Sequence, residues 1–206
     1  MMNRFREFFA SLFAPIAHLL LRWGVSPDAV TLVGTLGVCV GALVFFPRGE
    51  LFVGAAFITV FVLADLIDGY MARTSGRSSK WGAFLDSTLD RIGDGAIFGG
   101  LVLWFAAEGD DLYAALTVYA LVMGSVTSYA RARAESLGFT AKGGLAERAD
   151  RLVAVLVAAG LSDLFSLPVL LEVVLWWLAF ASTVTVIQRV LSVRRQALAD
   201  VRAADA

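Results

Sequence analysis

Residues 51–94 read LFVGAAFITVFVLADLIDGYMARTSGRSSKWGAFLDSTLDRIGD, an apolar tract that takes on five aspartates, at 65, 68, 86, 90 and 94. An aspartate near the middle of a membrane helix costs about 2.5–3.5 kcal/mol on insertion scales, so a cluster of them implies a function. Asp65 and Asp68 are spaced i, i+3 and Asp86 and Asp90 i, i+4, so each pair projects from one helical face. A short basic connection with Arg73, Arg77 and Lys80 separates the pairs, which places them on consecutive antiparallel helices. At about 1.5 Å per residue from that connection, both pairs lie roughly 8–14 Å inside the helix ends, where four carboxylates can converge.

The rest of the chain agrees with a membrane setting. Its 206 residues are 59% hydrophobic and 17% charged, against about 45–50% and about 25% in soluble domains. Fifteen Phe, five Trp and a mean hydropathy of +0.77 exclude disorder. A net charge of -1 implies no nucleic-acid partner, and the single Cys39 excludes a disulfide framework or a cysteine zinc site. Uncharged or sparsely charged runs predict six spans, at about 29–46, 51–72, 81–107, 112–130, 147–162 and 167–190. Ser26 and Pro27 supply a cap and first-turn pair for the first. Ahead of them, Phe5, Phe8, Phe9, Leu12, Phe13, Ile16, Leu19, Leu20 and Trp23 recur at helical spacing among polar residues, the pattern of an amphipathic helix lying in the interface.

The expected fold is therefore all-α. A polytopic membrane protein with six transmembrane helices over 27–195 follows an interfacial helix at 1–24, and the whole chain 1–206 forms a single domain. With six crossings, sixteen of the 17 Lys and Arg residues fall on one side and only Arg48 on the other. The positive-inside rule makes that side cytoplasmic, so both termini and the acidic site belong there in a multi-pass protein of the cell membrane.

Four negative charges in a partly desolvated pocket repel unless cations neutralise them, and two divalent ions carry the matching charge. All-oxygen ligands indicate Mg²⁺, with Mn²⁺ as the alternative, rather than zinc. Gly69, Ala72 and Gly82 lie between the pairs and let a phosphate or a neighbouring backbone approach, while Arg73 is placed to hold a phosphate oxygen. Together the stretch reads Asp65-x2-Asp68-Gly69-x2-Ala72-Arg73-x8-Gly82-x3-Asp86-x3-Asp90. That string resembles the signature of the CDP-alcohol phosphotransferase family, and the six-helix plan and amphipathic N-terminus extend the resemblance to nearly the whole chain.

The resemblance implies an intramembrane enzyme, a homodimer, that moves a phosphatidyl group from CDP-diacylglycerol to an acceptor hydroxyl and releases CMP. Asp65, Asp68 and Asp86 would be the principal metal ligands, and Asp90 would share a metal and accept the proton of the attacking hydroxyl. Cytidine would meet Asp28 and Thr31 and the surface of Gly69, Ala72 and Gly82. Asp28 is equally accounted for as a first-turn carboxylate favoured by the helix dipole.

A second basic cluster, Arg131, Arg133, Arg151, Arg194 and Arg195, comes from three helices and favours a phosphorylated polyol over an uncharged acceptor. The stretches Ser128-Tyr129-x-Arg131-Ala132-Arg133-Ala134-Glu135 and Glu147-Arg148-x-Asp150-Arg151-Leu152 resemble those of actinobacterial members that use inositol phosphate. By that resemblance Arg131, Arg151 and one of Arg194 or Arg195 would hold the acceptor phosphate, with glycerol phosphate as the rival acceptor. Asp94 is read as a structural partner of nearby Arg91. A cation transporter would spread polar residues across the bilayer, whereas here they gather in its cytoplasmic half. An intramembrane prenyltransferase also pairs Asp motifs with Mg²⁺ but lacks the Gly-x2-Ala-Arg-x8-Gly spacer.

Overall fold

In the computed structural model, the described residues are 14–76 and 79–204, with the backbone alone at 64–66, 203 and 204. Among them the secondary structure is helical throughout: α1 (14–22), α2 (Pro27–Phe45), a 3₁₀ turn (Phe46–Arg48), α3 (Leu51–Val62), α4 (Ala64–Thr74), α5 (Lys80–Ala107), α6 (Asp111–Ser136), α7 (Arg148–Leu164) and α8 (Val169–Ala204). Residues 1–13, which carry the first half of the expected interfacial helix, lie outside the described residues. Among the described residues four helical segments are long and apolar enough to cross a membrane: Pro27–Arg48, Leu51–Thr74, Asp111–Ser136 and Val169–Arg202. α5 has the length, at 28 residues, but carries Lys80, Asp86, Asp90, Arg91 and Asp94. α7 has only 17 residues and opens on Arg148, Asp150 and Arg151.

The chain divides into two compact units, residues 1–100 and 101–206, and the division falls inside α5. In the first unit α2 packs on α3 and α4. Ser26 caps α2, its hydroxyl accepting the Ala29 N–H at 3.2 Å, and Pro27 fills the first turn, where its missing N–H costs nothing. α5 approaches α2 at Gly100, where a Cβ would lie 2.4 Å from the Ala42 carbonyl oxygen, so only glycine permits the contact.

The second expected span is not one straight helix. It breaks at Leu63, whose N–H donates to Thr59 O while Thr59 Oγ1 donates to Ala55 O at 2.7 Å. α4 follows directly from Ala64 and brings Asp68 to α2, where the Thr31 hydroxyl meets it.

In the second unit α8 packs on both α6 and α7. At one end of that unit the Tyr113 hydroxyl donates to Glu172 at 3.0 Å, which gives the carboxylate inside the last span a partner. At the other end the loop 137–147 between α6 and α7 lies along α8 through side-chain hydrogen bonds. α8 runs 36 residues to Ala204, well past the expected end near 190, because the helix continues as a polar segment after its apolar tract stops.

Candidate active site

Within the first unit a cavity of about 360 Å³ is lined by Pro27, Asp28, Thr31, Asp68, Gly69, Ala72, Arg73, Ser79, Gly82, Ala83 and Asp86. Three helices build it: α2 supplies the residues around its first two turns, α4 supplies Asp68 to Arg73, and α5 supplies its first two turns. The position of each follows from local chemistry. The Ser79 hydroxyl accepts the Gly82 N–H at 2.9 Å and closes the first turn of α5, so the positive end of that helix dipole faces the site. Arg73 folds back toward its own helix, where a Cβ on Gly69 would come within 3.3 Å of its Nη1. The glycine leaves the guanidinium its place.

Asp68 is 7% exposed and Thr31 equally so, and the Thr31 hydroxyl donates to Asp68 Oδ2 at 2.5 Å. This carboxylate oxygen is thus held by α2 through Thr31, a residue to which the family resemblance gives a cytidine contact. Asp28 accepts a hydrogen bond from the Trp81 indole N–H at 3.1 Å on the same oxygen-rich rim. Trp81 and Ser79 are absent from the sequence-derived set; the only signal for Ser79 was a serine one position ahead of a helix start.

The donor groups around the cavity are carboxylate and hydroxyl oxygens, with no His or Cys among them, a set that fits a hard divalent cation and not zinc. Two of the four expected ligands, Asp68 and Asp86, line the cavity together. The Asp65 side chain lies outside the described residues. Asp90 sits one turn further along α5 than Asp86 and is not among the lining residues; its Oδ2 is 3.7 Å from Arg91 Nη2. Arg91 also approaches buried Asp94 at 3.2 Å, so Asp94 carries the structural ion pair. Among the described residues no three acidic, His or Cys side chains form a metal-binding group.

In the second unit the expected acceptor residues separate into two kinds. Arg131 pairs with Glu135 at 3.0 Å on the exposed end of α6, and Arg133 donates to Ser136 Oγ at 3.4 Å. Arg194 and Arg195 are exposed. Arg151, by contrast, is 3% exposed, its Nη1 donating to Ala146 O at 3.1 Å and its Nη2 to Gly124 O at 3.3 Å. The α8 arginine beside this region is Arg189, 4% exposed, with Nε and Nη2 donating to Gly143 O and Nη1 to Thr127 O. Sequence reasoning counts Arg189 only as inside charge; its place one turn before the polar end of an apolar span was the available signal.

Against known proteins, the profile of the CDP-alcohol phosphatidyltransferase family matches residues 24–185. The chain is 55% identical to a phosphatidylinositol phosphate synthase of Streptomyces avermitilis, over 95% of this chain and 84% of that protein. A crystal structure of the Mycobacterium tuberculosis phosphatidylinositol phosphate synthase with CDP-DAG bound superposes with a TM-score of 0.84 at 46% identity, covering 89% of this chain and 94% of the other. A second structure of that synthase, in complex with manganese and citrate, also gives 0.84, at 46% identity and 88% coverage of both chains.

Proposed function

Because the chain belongs to the CDP-alcohol phosphatidyltransferase family, we propose that it transfers the phosphatidyl group of CDP-diacylglycerol to a hydroxyl of inositol phosphate, giving phosphatidylinositol phosphate and CMP. The observation that carries the reading is the gathering of Asp28, Thr31, Asp68, Gly69, Ala72, Arg73, Gly82 and Asp86 around one cavity. Gly69, Ala72 and Gly82 leave room for the nucleotide, and Asp28 offers its rim carboxylate to the cytosine amine. Arg73 holds diphosphate oxygens by charge-assisted hydrogen bonds.

Asp65, Asp68 and Asp86 would hold divalent cations, with Asp90 sharing one. We assign these as two Mg²⁺ ions, for which Mn²⁺ can substitute. Bound there, such cations supply positive charge to the diphosphate and to the departing CMP. Asp90 takes the proton of the acceptor hydroxyl as its oxygen bonds to the phosphatidyl phosphorus and the bond from that phosphorus to CMP breaks. Arg151, with Arg131, Arg133 and the α8 arginines, provides the positive field for the acceptor phosphate.

Six helices cross the bilayer in this reading, α5 and α7 among them, as one membrane domain in a homodimer. Both termini and the site face the cytoplasm, which puts sixteen of the 17 basic side chains on that face. The test is CMP release by the purified protein from CDP-diacylglycerol, with inositol phosphate and glycerol phosphate in competition. Inositol phosphate is expected to be consumed first. Preference for glycerol phosphate would overturn the acceptor assignment, and no CMP with either acceptor would overturn the reaction.

A further inference from the structure

Four polar residues of α8 share one face at spacings i, i+4, i+7 and i+11: Thr185, Arg189, Ser192 and Gln196. Each meets the loop between α6 and α7, in antiparallel order. Thr185 Oγ1 accepts the N–H groups of Leu145 at 3.1 Å and Ala146 at 3.3 Å. Arg189 donates to Gly143 O, Ser192 to Thr140 O, and Gln196 bonds both the N–H and the carbonyl of Thr140. The loop is laced to the helix along its length.

Thr185 occupies the decisive end. It is fully buried, and its own proton goes to Ala181 O at 2.7 Å, which turns its lone pairs outward to the two loop amides. Gly144 sits against it with φ +146°, and a Cβ there would lie 2.2 Å from Thr185 Cγ2. Only glycine satisfies both the backbone angle and the contact. Two residues on, the Ala146 carbonyl accepts Arg151 Nη1 at 3.1 Å. A path therefore runs from the Thr185 hydroxyl to the Ala146 N–H, across that residue's backbone to its carbonyl, and on to the Arg151 guanidinium, whose Nη2 donates to Gly124 O.

We infer that Thr185 is a positioning residue for the acceptor: by holding the backbone of Ala146 at its N–H it sets the place of the carbonyl that orients Arg151. Thr185 itself touches no substrate. The inference rests on the proposed role of Arg151 at the acceptor phosphate, and the test separates the two.

Steady-state kinetics of the full-length protein in detergent, with CDP-diacylglycerol and inositol phosphate varied in turn, are measured for Arg151→Ala, Thr185→Val, Thr185→Ser and Gly144→Ala. Thr185→Val keeps the shape and removes the acceptor of both loop amides, the one at Ala146 buried, a loss expected to raise the acceptor KM about tenfold. The donor KM should stay within about twofold, as the donor residues are not on this path. Thr185→Ser, which keeps the hydroxyl, should restore the acceptor KM. Gly144→Ala, which pushes the loop off α8 from its other side, should reproduce the valine phenotype. It is read by the same criterion if Thr185→Val is too unstable to assay.

An unchanged acceptor KM in folded Thr185→Val, or a parallel worsening of both KM values and kcat, overturns the inference and leaves Thr185 a purely structural residue. Arg151→Ala is the separating arm. If it leaves the acceptor KM unchanged, the proposed role of Arg151 is what fails. If it raises that KM while Thr185→Val and Gly144→Ala do not, the inference about Thr185 alone fails.

Discussion

Replacing Thr31 by valine removes one hydroxyl and keeps the shape of the side chain. The hydroxyl donates to Asp68 Oδ2 at 2.5 Å, while its alternative acceptor, Pro27 O, is 3.1 Å away, so the shorter, charged partner takes the proton. Both residues are buried, which leaves water little access to replace the lost donor. A hydrogen bond to a charged group contributes about 1.5–3 kcal/mol. At 1.4 kcal/mol per factor of ten this corresponds to about tenfold to 150-fold in any equilibrium that needs the Asp68 carboxylate oriented. Loss of a partner supporting a metal ligand costs about 10–100-fold in metal affinity, the same range. Mn²⁺ titration of the donor-free protein, followed by the electron paramagnetic resonance signal of free Mn²⁺, reads that affinity. Thr31→Val should weaken it by about tenfold or more, and Thr31→Ser should hold it near the parent value. If Mn²⁺ affinity is unchanged while CDP-diacylglycerol binding at saturating Mn²⁺ is lost, Thr31 touches the nucleotide and the positioning argument is refuted.

Asp90→Asn should abolish CMP release and leave CDP-diacylglycerol binding largely intact, measured by equilibrium binding of the donor; loss of binding with turnover of bound donor preserved would contradict its role as base. Gly100→Ala places a methyl 2.4 Å from a backbone oxygen of α2 that cannot step aside, an overpacking expected to cost about 1–3 kcal/mol. A lowered thermal midpoint in detergent is the readout, with wild-type ligand affinities in the protein that remains folded.

The acidic string was legible because intramembrane charge is expensive and its spacing periodic, and Ser26 with Pro27 because capping is local chemistry. The break at Leu63 was not, since nothing in FITVFVLAD marks a turn. The reach of α8 was missed because hydropathy reports where apolar side chains stop, while a helix ends only where its backbone bonding does. Arg189 and Thr185 show the deepest limit. Each looks unremarkable in sequence, one as inside charge and the other as a small polar residue in an apolar run. Their roles exist only once residues about 40 positions upstream are folded against them. Asp28 and Thr31 were legible as cavity residues, but not the partners, Trp81 and Asp68, that orient them.

The most direct test of the cation-held donor site is anomalous diffraction from crystals of the full-length protein soaked in Mn²⁺ and recorded at the manganese edge. The account predicts one or two peaks within bonding distance of Asp68 and Asp86, on the cavity side of Gly69 and Gly82, strengthened by the presence of donor. A cavity without a manganese peak in crystals whose protein turns over in the same Mn²⁺ buffer would contradict it.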